Sequence, residues 1–178
     1  MKDRFVFYSK SADKAPGKGS NEQVEDATAY TKLASIKDWR RILGNFYECN
    51  FIYEGRTYRT VEHALQAKKF EPIDKQLFES FALESNSELS KSDGLAARRM
   101  RKTIRLNPQQ LQKWDQSKIG HVANMHRAKF SQCPKAKQVL LATGEAELWH
   151  YLSRQPKGKN LQHWDTLEEV RSKLRLTK

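Results

Sequence analysis

The chemically richest stretch of the sequence is TVEHALQAKKF, residues 60–70. At 100° per residue it places Glu62, Gln66 and Lys69 on one stripe of a predicted helix, with His63 beside them. A carboxylate in the first turn of a helix meets free backbone N–H groups and the positive end of the helix dipole, which favour its ionised form. Glu62 is therefore suited to act as a base or to stabilise a cation.

Lys69 lies two turns after Glu62 on the same stripe, and three roles are open to it. It could hold Glu62 in place, bind an anionic ligand, or act as an amine nucleophile if desolvation lowers its pKa. The competing interpretation is a solvated helix face, on which Glu62 is a helix-start charge and Lys69 its distant ion-pair partner. The motif alone leaves both interpretations open.

The elements that must position this motif are a hairpin and a run of helices. Residues 47–59 alternate aromatic and polar side chains around Glu54-Gly55, which predicts a β-hairpin leading into a helix at 60–70. Residues 4–8 have the composition of a short strand. Further helices are predicted at 73–84, 92–105, 108–130 with a break near Gly120, 134–142, 145–152 and 165–176. The predicted fold class is α+β, a predominantly helical single domain with a small hairpin or sheet element.

Residues 9–28 interrupt this pattern near the amino end. They are polar and rich in Gly, Ser and Lys, with almost nothing to bury. This composition predicts a mobile surface loop, which we extend to residue 36.

The net charge and the two cysteines limit which partners and which cellular location fit this sequence. Lys and Arg total 33 against 21 Asp and Glu, a formal net charge of +12 over 178 residues, which favours a polyanionic partner, with a merely solvated surface as the alternative. The length fits one domain, residues 1–178, assumed to be a monomer. Two cysteines predict no disulfide framework and a reducing setting. No apolar run approaches the roughly 20 residues of a membrane span, so we expect no membrane partner and a cytoplasmic location, or a nuclear one in a eukaryote.

Basic residues also favour nucleic acid as that partner. In the segment DWRR, residues 38–41, Trp39 beside Arg40 and Arg41 is typical of a lip on which a base stacks, although most tryptophans lie in cores. A predicted helix offers four more candidates for phosphate contacts: Arg98, Arg99, Arg101 and Lys102.

Several motifs together resemble those of a known family. The segments FVFYS, GNFYECNFIYEGRTYRTVEHALQAKKF, RAKF and LLATG, in this order, are similar to those of the NADAR family, the YbiA-like N-glycosidases associated with NAD and ADP-ribose metabolism. The resemblance implies a mostly helical α+β domain that hydrolyses N-glycosidic bonds to ribose. It also implies two substrate groups, namely ribosylated pyrimidine intermediates of riboflavin synthesis and ADP-ribose attached to guanine in DNA.

The resemblance also assigns roles to individual residues. Glu62, Lys69 and His63 match its catalytic core, and Trp149 lies in a carboxyl-terminal segment that departs from the family pattern, since it lacks the W-G-x-G and N-x-L-G motifs. The remaining matches predict substrate contacts by Phe7, Tyr8, Asn45, Phe46, Gln66 and Lys129, and Trp149 is a further candidate for substrate binding.

The implied reaction passes through an oxocarbenium-like state with negative charge growing on the departing base. Glu62 fits stabilisation of the sugar or activation of water, and His63, Lys69 or Lys129 fits donation to the base. A covalent variant uses a lysine, first of all Lys69, as a Schiff base with the opened ribose. Such a hydrolysis needs no cofactor, and the spacing of the histidines does not match a metal-binding motif. His126 is interpreted as ordinary helix surface.

The positive net charge favours a substrate carried on nucleic acid over a small nucleotide. We expect an ADP-ribosyl glycohydrolase that removes ADP-ribose from guanine in DNA, with ADP-ribose or a ribosylated nucleotide as ligand and DNA as partner. The alternatives are a glycosidase of phosphorylated ribosyl-pyrimidines, or a non-catalytic module that binds ADP-ribose or nucleic acid.

Overall fold

The computed structural model describes residues 1–177, and they form the α+β fold that the sequence predicts, mostly helical with two small sheets. Contacts group these residues into two compact units. The central unit runs from Asn45 to Cys133, and the terminal unit contains Met1–Gly44 and the described chain from Pro134 onward. The single-domain boundary of 1–178 stays a prediction.

A three-stranded sheet organises the terminal unit. β1 (Arg4–Phe7) runs parallel to β4 (Glu147–Tyr151), which runs antiparallel to β5 (Leu161–His163). The strand predicted at 4–8 is confirmed, whereas the helix predicted at 145–152 is wrong. The segment ELWHY has the aromatic content of a strand, and a short apolar run of this kind does not distinguish strand from helix by periodicity.

Four helices complete the terminal unit. Helices predicted at 134–142 and 165–176 are confirmed, but two short helices between residues 31 and 43 were not predicted. A central contact of this core joins the edge of Phe5 to the ring of Trp39, with centroids 5.0 Å apart. The helices are α1 (Thr31–Ala34), α2 (Trp39–Leu43), α8 (Pro134–Ala142) and α9 (Asp165–Leu176).

A buried ion pair anchors the polar segment near the amino end. Glu22 lies 2.7 Å from Arg40, and the carboxylate also accepts backbone N–H bonds from Val6, Gly17 and Gly19. Its side chain has no exposed surface. The segment 9–36 therefore has specific contacts that its polar composition does not indicate, and its mobility stays a prediction.

The central unit begins with the predicted hairpin, which is confirmed. β2 (Phe51–Tyr53) pairs antiparallel with β3 (Arg56–Tyr58). The turn residues Glu54 and Gly55 have φ of 47° and 77°, the positive values that a tight hairpin turn of the common type requires at both positions. The strand then leads directly into the motif helix.

The motif helix, α3 (Val61–Phe70), begins where the sequence predicts. The Thr60 side chain accepts a hydrogen bond from the His63 N–H, as an N-cap does. The helices that follow are α4 (Lys75–Ser80), α5 (Glu88–Lys91), α6 (Gly94–Arg99) and α7 (Pro108–Gln132), with a short 3₁₀ turn at Met100–Lys102. α3 packs against α4, α6 and α7.

α7 is a continuous helix of 25 residues. The break predicted near Gly120 is wrong, because one glycine inside a helix costs only about 1 kcal/mol relative to alanine. A capping box between Asn107 and Gln110 fixes its start. None of the helices in residues 1–177 is long and apolar enough to span a membrane.

The two cysteines close the central unit. Cys49 lies just before β2, and Cys133 is the residue that ends α7. Their Cα atoms are 6.3 Å apart and the side chains form a disulfide. Sequence analysis predicts no disulfide framework and does not identify this single pair, since two cysteines 84 residues apart in sequence give no local signal of proximity.

Candidate active site

The polar stripe of α3 lies inside the protein. Seven of the ten helix residues from Val61 to Ala67 form an unbroken buried run. Glu62 has only 6% of its surface exposed and Gln66 only 7%. The interpretation of the motif as a solvated helix face is therefore wrong, and its polar groups need a reason to be buried.

Glu62 is the carboxylate at the start of this stripe. Gln66 Nε2 donates to Glu62 Oε1 at 2.8 Å, one turn along α3. Burial raises the pKa of Glu62, and the hydrogen bond from Gln66 opposes that rise. Three positive charges also oppose it: Arg98, Lys118 and Arg101. The shift runs opposite to the one that a first-turn position predicts, because desolvation outweighs the charges and the hydrogen bond.

The other end of the Gln66 side-chain amide is its carbonyl oxygen. Its carbonyl Oε1 is buried and has no hydrogen-bond partner among the described residues. A buried acceptor without a donor is costly, and in native structures it is usually satisfied by a ligand or water. The Gln66 amide thus fixes Glu62 with one end and presents an acceptor with the other.

His63 makes a different set of contacts from Glu62. Its Nδ1 lies 2.8 Å from Thr60 Oγ1, and its Nε2 lies 3.1 Å from the carbonyl oxygen of Leu89 in α5. Burial lowers the pKa of His63, which favours the neutral ring. With Nε2 donating to the carbonyl and Nδ1 accepting from the hydroxyl, both nitrogens are occupied. These contacts hold the ring between α3 and α5, and the catalytic role of His63 stays a prediction.

Lys129 is the most deeply buried amine of the central unit. It has 1% of its surface exposed, and its Nζ lies 4.7 Å from the centroid of the Phe130 ring and 5.5 Å from that of Tyr47. Burial lowers its pKa to about 7. Near neutral pH a large share of this amine is therefore uncharged and able to act as a base or nucleophile.

Asn45 connects the two sides of this arrangement. Its backbone carbonyl accepts a hydrogen bond from the Glu62 N–H at 3.1 Å, and its side-chain Oδ1 lies 2.8 Å from Nε2 of His126. His126 stands one turn before Lys129 on α7. Hydrogen bonds thus link Gln66, Glu62 and Asn45 to His126 of α7, the helix that packs against α3 and also carries Lys129. We call Asn45, Glu62, Gln66, His126 and Lys129 the α3–α7 site.

Sequence analysis missed His126. It was interpreted as helix surface, yet its side chain is fully buried. The signal that would have found it is the spacing MHRAKF, which puts His126 and Lys129 on one face of the buried half of α7 together with Met125 and Phe130.

Two other predicted residues lie at the edges of this site. The Phe46 ring packs on α6, where a Cβ added to Gly94 would come within 2.8 Å of it, so only glycine fits there. Lys69 is partly exposed and ends the polar stripe. Burial lowers its pKa, and the positive charges of Lys118 and Arg101 lower it further.

Phe7 and Tyr8, predicted to contact substrate, belong to the terminal unit. Phe7 has no exposed surface and meets the rings of His150 and Trp164 edge-on. It is a core residue, which corrects its predicted substrate contact. The partly exposed ring of Tyr8 packs edge-on against Tyr151, with centroids 5.1 Å apart.

Trp149 also belongs to the terminal unit. Its indole stacks on His163 at 4.8 Å, and the Arg4 guanidinium lies 4.8 Å from it. The two contacts come from the strands on either side of β4, namely β5 and β1. The substrate contact of Trp149 stays a prediction.

The DWRR lip is not formed. Trp39 is 1% exposed and Arg40 is 3% exposed, the latter donating to Glu22 and to the carbonyls of Lys14 and Ala15. The prediction that Arg40 contacts nucleic acid is wrong, because its guanidinium is already paired with Glu22 inside the protein. Arg41 is half exposed, but its Nε donates to the Ser11 carbonyl.

The basic residues around α6 remain available. Arg98, Arg99 and Lys102 are exposed and Arg101 is partly exposed. None of the four forms an ion pair with another residue in the range 1–177. Their contact with nucleic acid stays a prediction.

Comparison with known proteins adds three findings. The family model described as the NADAR domain matches residues 35–175. The chain is similar in structure to the Escherichia coli protein YbiA, solved by NMR, with a TM-score of 0.58 and 22% identity over 99% of this chain and 88% of that one. Comparison with curated proteins gives no significant match.

Proposed function

Because the chain belongs to the NADAR family, we propose that it is an N-glycosidase that hydrolyses the bond between a ribose and a nucleobase, with ADP-ribose on guanine in DNA as the leading substrate. Family membership and the YbiA-like fold support a glycosidase-type or related function. The specific substrate is the step that the proposal adds.

One observation supports the proposal most. A buried carboxylic acid with a raised pKa lies on α3, and a buried amine with a pKa of about 7 lies on α7, the helix that packs against α3. Asn45 contacts both helices, since it bonds the first turn of α3 and His126 on α7. Shifts of this kind towards neutral pH are what proton transfer at a glycosidic bond requires.

Glu62 serves the sugar and the departing base in this proposal. As a carboxylate it stabilises the positive charge that grows on the ribose, and it accepts a proton from the attacking water. As a carboxylic acid it donates a proton to the base nitrogen as the C1′–N bond breaks. Burial raises the pKa of Glu62, which favours the protonated form that this donation needs.

Lys129 offers a covalent route. Its uncharged amine adds to C1′, the C1′–N bond breaks with its electron pair on the base, and that nitrogen takes a proton from Glu62. The new amine gives one proton to the Glu62 carboxylate, and the C1′–O4′ bond breaks with its electron pair on O4′. O4′ takes up a second proton from the nitrogen, which leaves an imine, and addition of water then releases the sugar aldehyde and the free amine. We prefer Lys129 to Lys69 for this role because Lys129 is fully buried, whereas Lys69 is partly exposed and stands among other cations.

The net charge of +12 and the exposed Arg99 and Lys102 favour DNA as the carrier of the modified guanine. A second candidate is a glycosidase of phosphorylated ribosyl-pyrimidines. It is favoured by the cations that act on Glu62 itself, since a small phosphorylated substrate would use them without any DNA.

The decisive experiment incubates the purified protein with a guanine-ADP-ribosylated oligonucleotide and follows released ADP-ribose. We expect release by the wild type, a loss of at least about 100-fold in Glu62→Gln with ADP-ribose binding retained, and wild-type rates in Glu169→Gln, an exposed glutamate of the terminal unit. Cleavage of a ribosyl-pyrimidine phosphate alone would establish the second candidate. Binding of ADP-ribose with no cleavage of either substrate would overturn the enzyme proposal in favour of a binding module.

A further inference from the structure

Four cations surround the polar stripe of α3. They come from four elements of the central unit: Lys69 from α3, Arg98 from α6, Arg101 from the 3₁₀ turn and Lys118 from α7. α3 packs against both α6 and α7. Arg98, Arg101 and Lys118 act electrostatically on Glu62, and Arg101 and Lys118 also act on Lys69. We call these residues the four-cation group.

The four-cation group is not neutralised within the described chain. No carboxylate of residues 1–177 lies within ion-pair distance of any of its members. Besides Glu62, Asp115 is the acidic residue that acts on Lys69. Four positive charges therefore face two negative ones, and the cations repel one another until an anion joins them.

The neighbouring Lys68 shows the difference. Its Nζ lies 2.6 Å from Glu54 and 2.7 Å from Glu71, so its charge is satisfied by the protein. Lys69 comes next in sequence on the same helix but has no such partner and lies on the Glu62 stripe. The chain thus pairs the cation that points away from the stripe and leaves the one on it unpaired, as an anion-binding site requires.

The stripe also sets the shape of the ligand. Glu62, Gln66 and Lys69 follow one another along α3, and seven residues at 1.5 Å each separate the first from the last by about 10 Å. The buried end presents two acceptors, the Glu62 carboxylate and the unpartnered Gln66 Oε1. The outer end presents cations. A ligand that fits has hydrogen-bond donors such as sugar hydroxyls at one end and a multiply charged anion at the other.

We propose that the four-cation group is a phosphate subsite, which holds the phosphate on the 5′ side of the ribose whose glycosidic bond lies at Glu62. This inference rests on the proposed function and names the feature by which substrate is selected. The phosphate belongs either to a ribose 5-phosphate or to the diphosphate of ADP-ribose, which share this chemistry.

Binding experiments test the subsite without requiring turnover. Calorimetry at low, fixed ionic strength compares ribose, ribose 5-phosphate and ADP-ribose as probes. The variants are Arg101→Met and Lys118→Glu, with Arg127→Met and Lys113→Met as controls, because both control residues are exposed cations of α7 outside the four-cation group. Thermal unfolding confirms that each variant is folded.

We expect Arg101→Met and Lys118→Glu to weaken binding of the phosphorylated probes about 10- to 100-fold, with no change for ribose and less than twofold change in the controls. Equal loss for ribose 5-phosphate and ADP-ribose identifies a monophosphate site, and loss confined to ADP-ribose identifies a diphosphate site. Unchanged binding of both probes, or loss confined to unmodified DNA, would overturn the subsite. Specific binding without any cleavage would leave the subsite standing and remove the proposed hydrolase.

Discussion

Gln66 donates a hydrogen bond from Nε2 to Oε1 of Glu62 at 2.8 Å, and both side chains are buried on adjacent turns of α3. The bond stabilises the charged form of an acid whose burial otherwise disfavours it. Gln66 therefore acts through Glu62, as a positioning residue with a defined electrostatic effect.

Replacing Gln66 with Leu removes this stabilisation. Because the hydrogen bond lowers the Glu62 pKa, its loss raises that pKa further, and the acid limb of the kcat/KM profile moves to higher pH. We expect a fall in kcat/KM of about 10- to 100-fold on the acid limb of the profile, corresponding to a hydrogen bond to a charged group, and a smaller fall on the alkaline side. Gln116→Leu, on the exposed face of α7, is the control. An unshifted acid limb would show that the bond does not govern ionisation.

The sequence predicts where the helices and turns near Glu62 and Gln66 begin, but it does not predict which of their residues are buried. The Thr60 cap, the turn at Glu54-Gly55 and the start of α7 at Pro108 are local signals, each read from a few neighbouring residues. Burial is not local. The residue pattern of α3 fits a solvated helix face as well as a buried helix, and only its packing against α4, α6 and α7 distinguishes the two.

The mistaken predictions have the same origin. Arg40 lies in a basic, aromatic segment, but its charge is used by Glu22, eighteen positions earlier in the chain. His126 looks like helix surface because its partner, Asn45, is 81 residues away. In both cases a distant residue fixes the role, and no pattern in one sequence reports that pairing.

Lys129 provides the second prediction. If its uncharged amine attacks C1′, activity rises with pH as the group with a pKa of about 7 loses its proton. Borohydride added during turnover should trap the sugar on Lys129, which mass spectrometry of peptides detects, and Lys129→Met should abolish both trapping and cleavage. Lys113→Met is the matched control. Trapping on Lys69 would reassign the amine, and no trapping with full cleavage would favour direct attack by water.

The second part of the Lys129 prediction is that the same group links stability to pH. The folded pKa of Lys129 lies below its unfolded value, near 10.4, so between about pH 7 and 10 the unfolded chain binds more protons than the folded one. Its contribution to stability therefore falls as the pH is lowered through this window. Lys129→Met should flatten the slope of the unfolding free energy over pH 7 to 10, as measured by urea titration. An unchanged slope would contradict the depressed pKa.

The Glu22–Arg40 pair gives a third prediction, about stability alone. Both side chains are buried, so removing one partner leaves an uncompensated charge. Arg40→Met should lower the unfolding free energy by about 3–5 kcal/mol. The adjacent Arg41→Met, which breaks a half-exposed ion pair with Asp38 at 3.7 Å and one hydrogen bond, should cost about 1–2 kcal/mol. Urea unfolding measures both, and equal losses would mean that the burial of Arg40 carries no special cost.

The disulfide gives a fourth prediction. Cys49–Cys133 closes a loop of 84 residues that contains nearly all of the central unit. Cys133→Ser, or reduction of the wild type, should lower stability by about 2–4 kcal/mol. Thermal unfolding with and without reductant measures the effect, and the Ser variant should show no response to reductant. A wild type indifferent to reductant would indicate that the two thiols do not pair in solution.

The exposed Arg99 and Lys102 separate DNA from the sugar phosphate as their ligand. Neither acts on Glu62 among its main electrostatic contributions, so their loss should leave binding of free ADP-ribose unchanged. If they contact the DNA backbone, Arg99→Met with Lys102→Met should weaken DNA binding and reduce the slope of log K against log salt concentration by about 1–2. Fluorescence anisotropy of a labelled oligonucleotide over 50 to 200 mM salt, where the Debye length falls from about 14 to about 7 Å, measures this slope. An unchanged slope would remove Arg99 and Lys102 from the DNA interface and favour the small phosphorylated substrate.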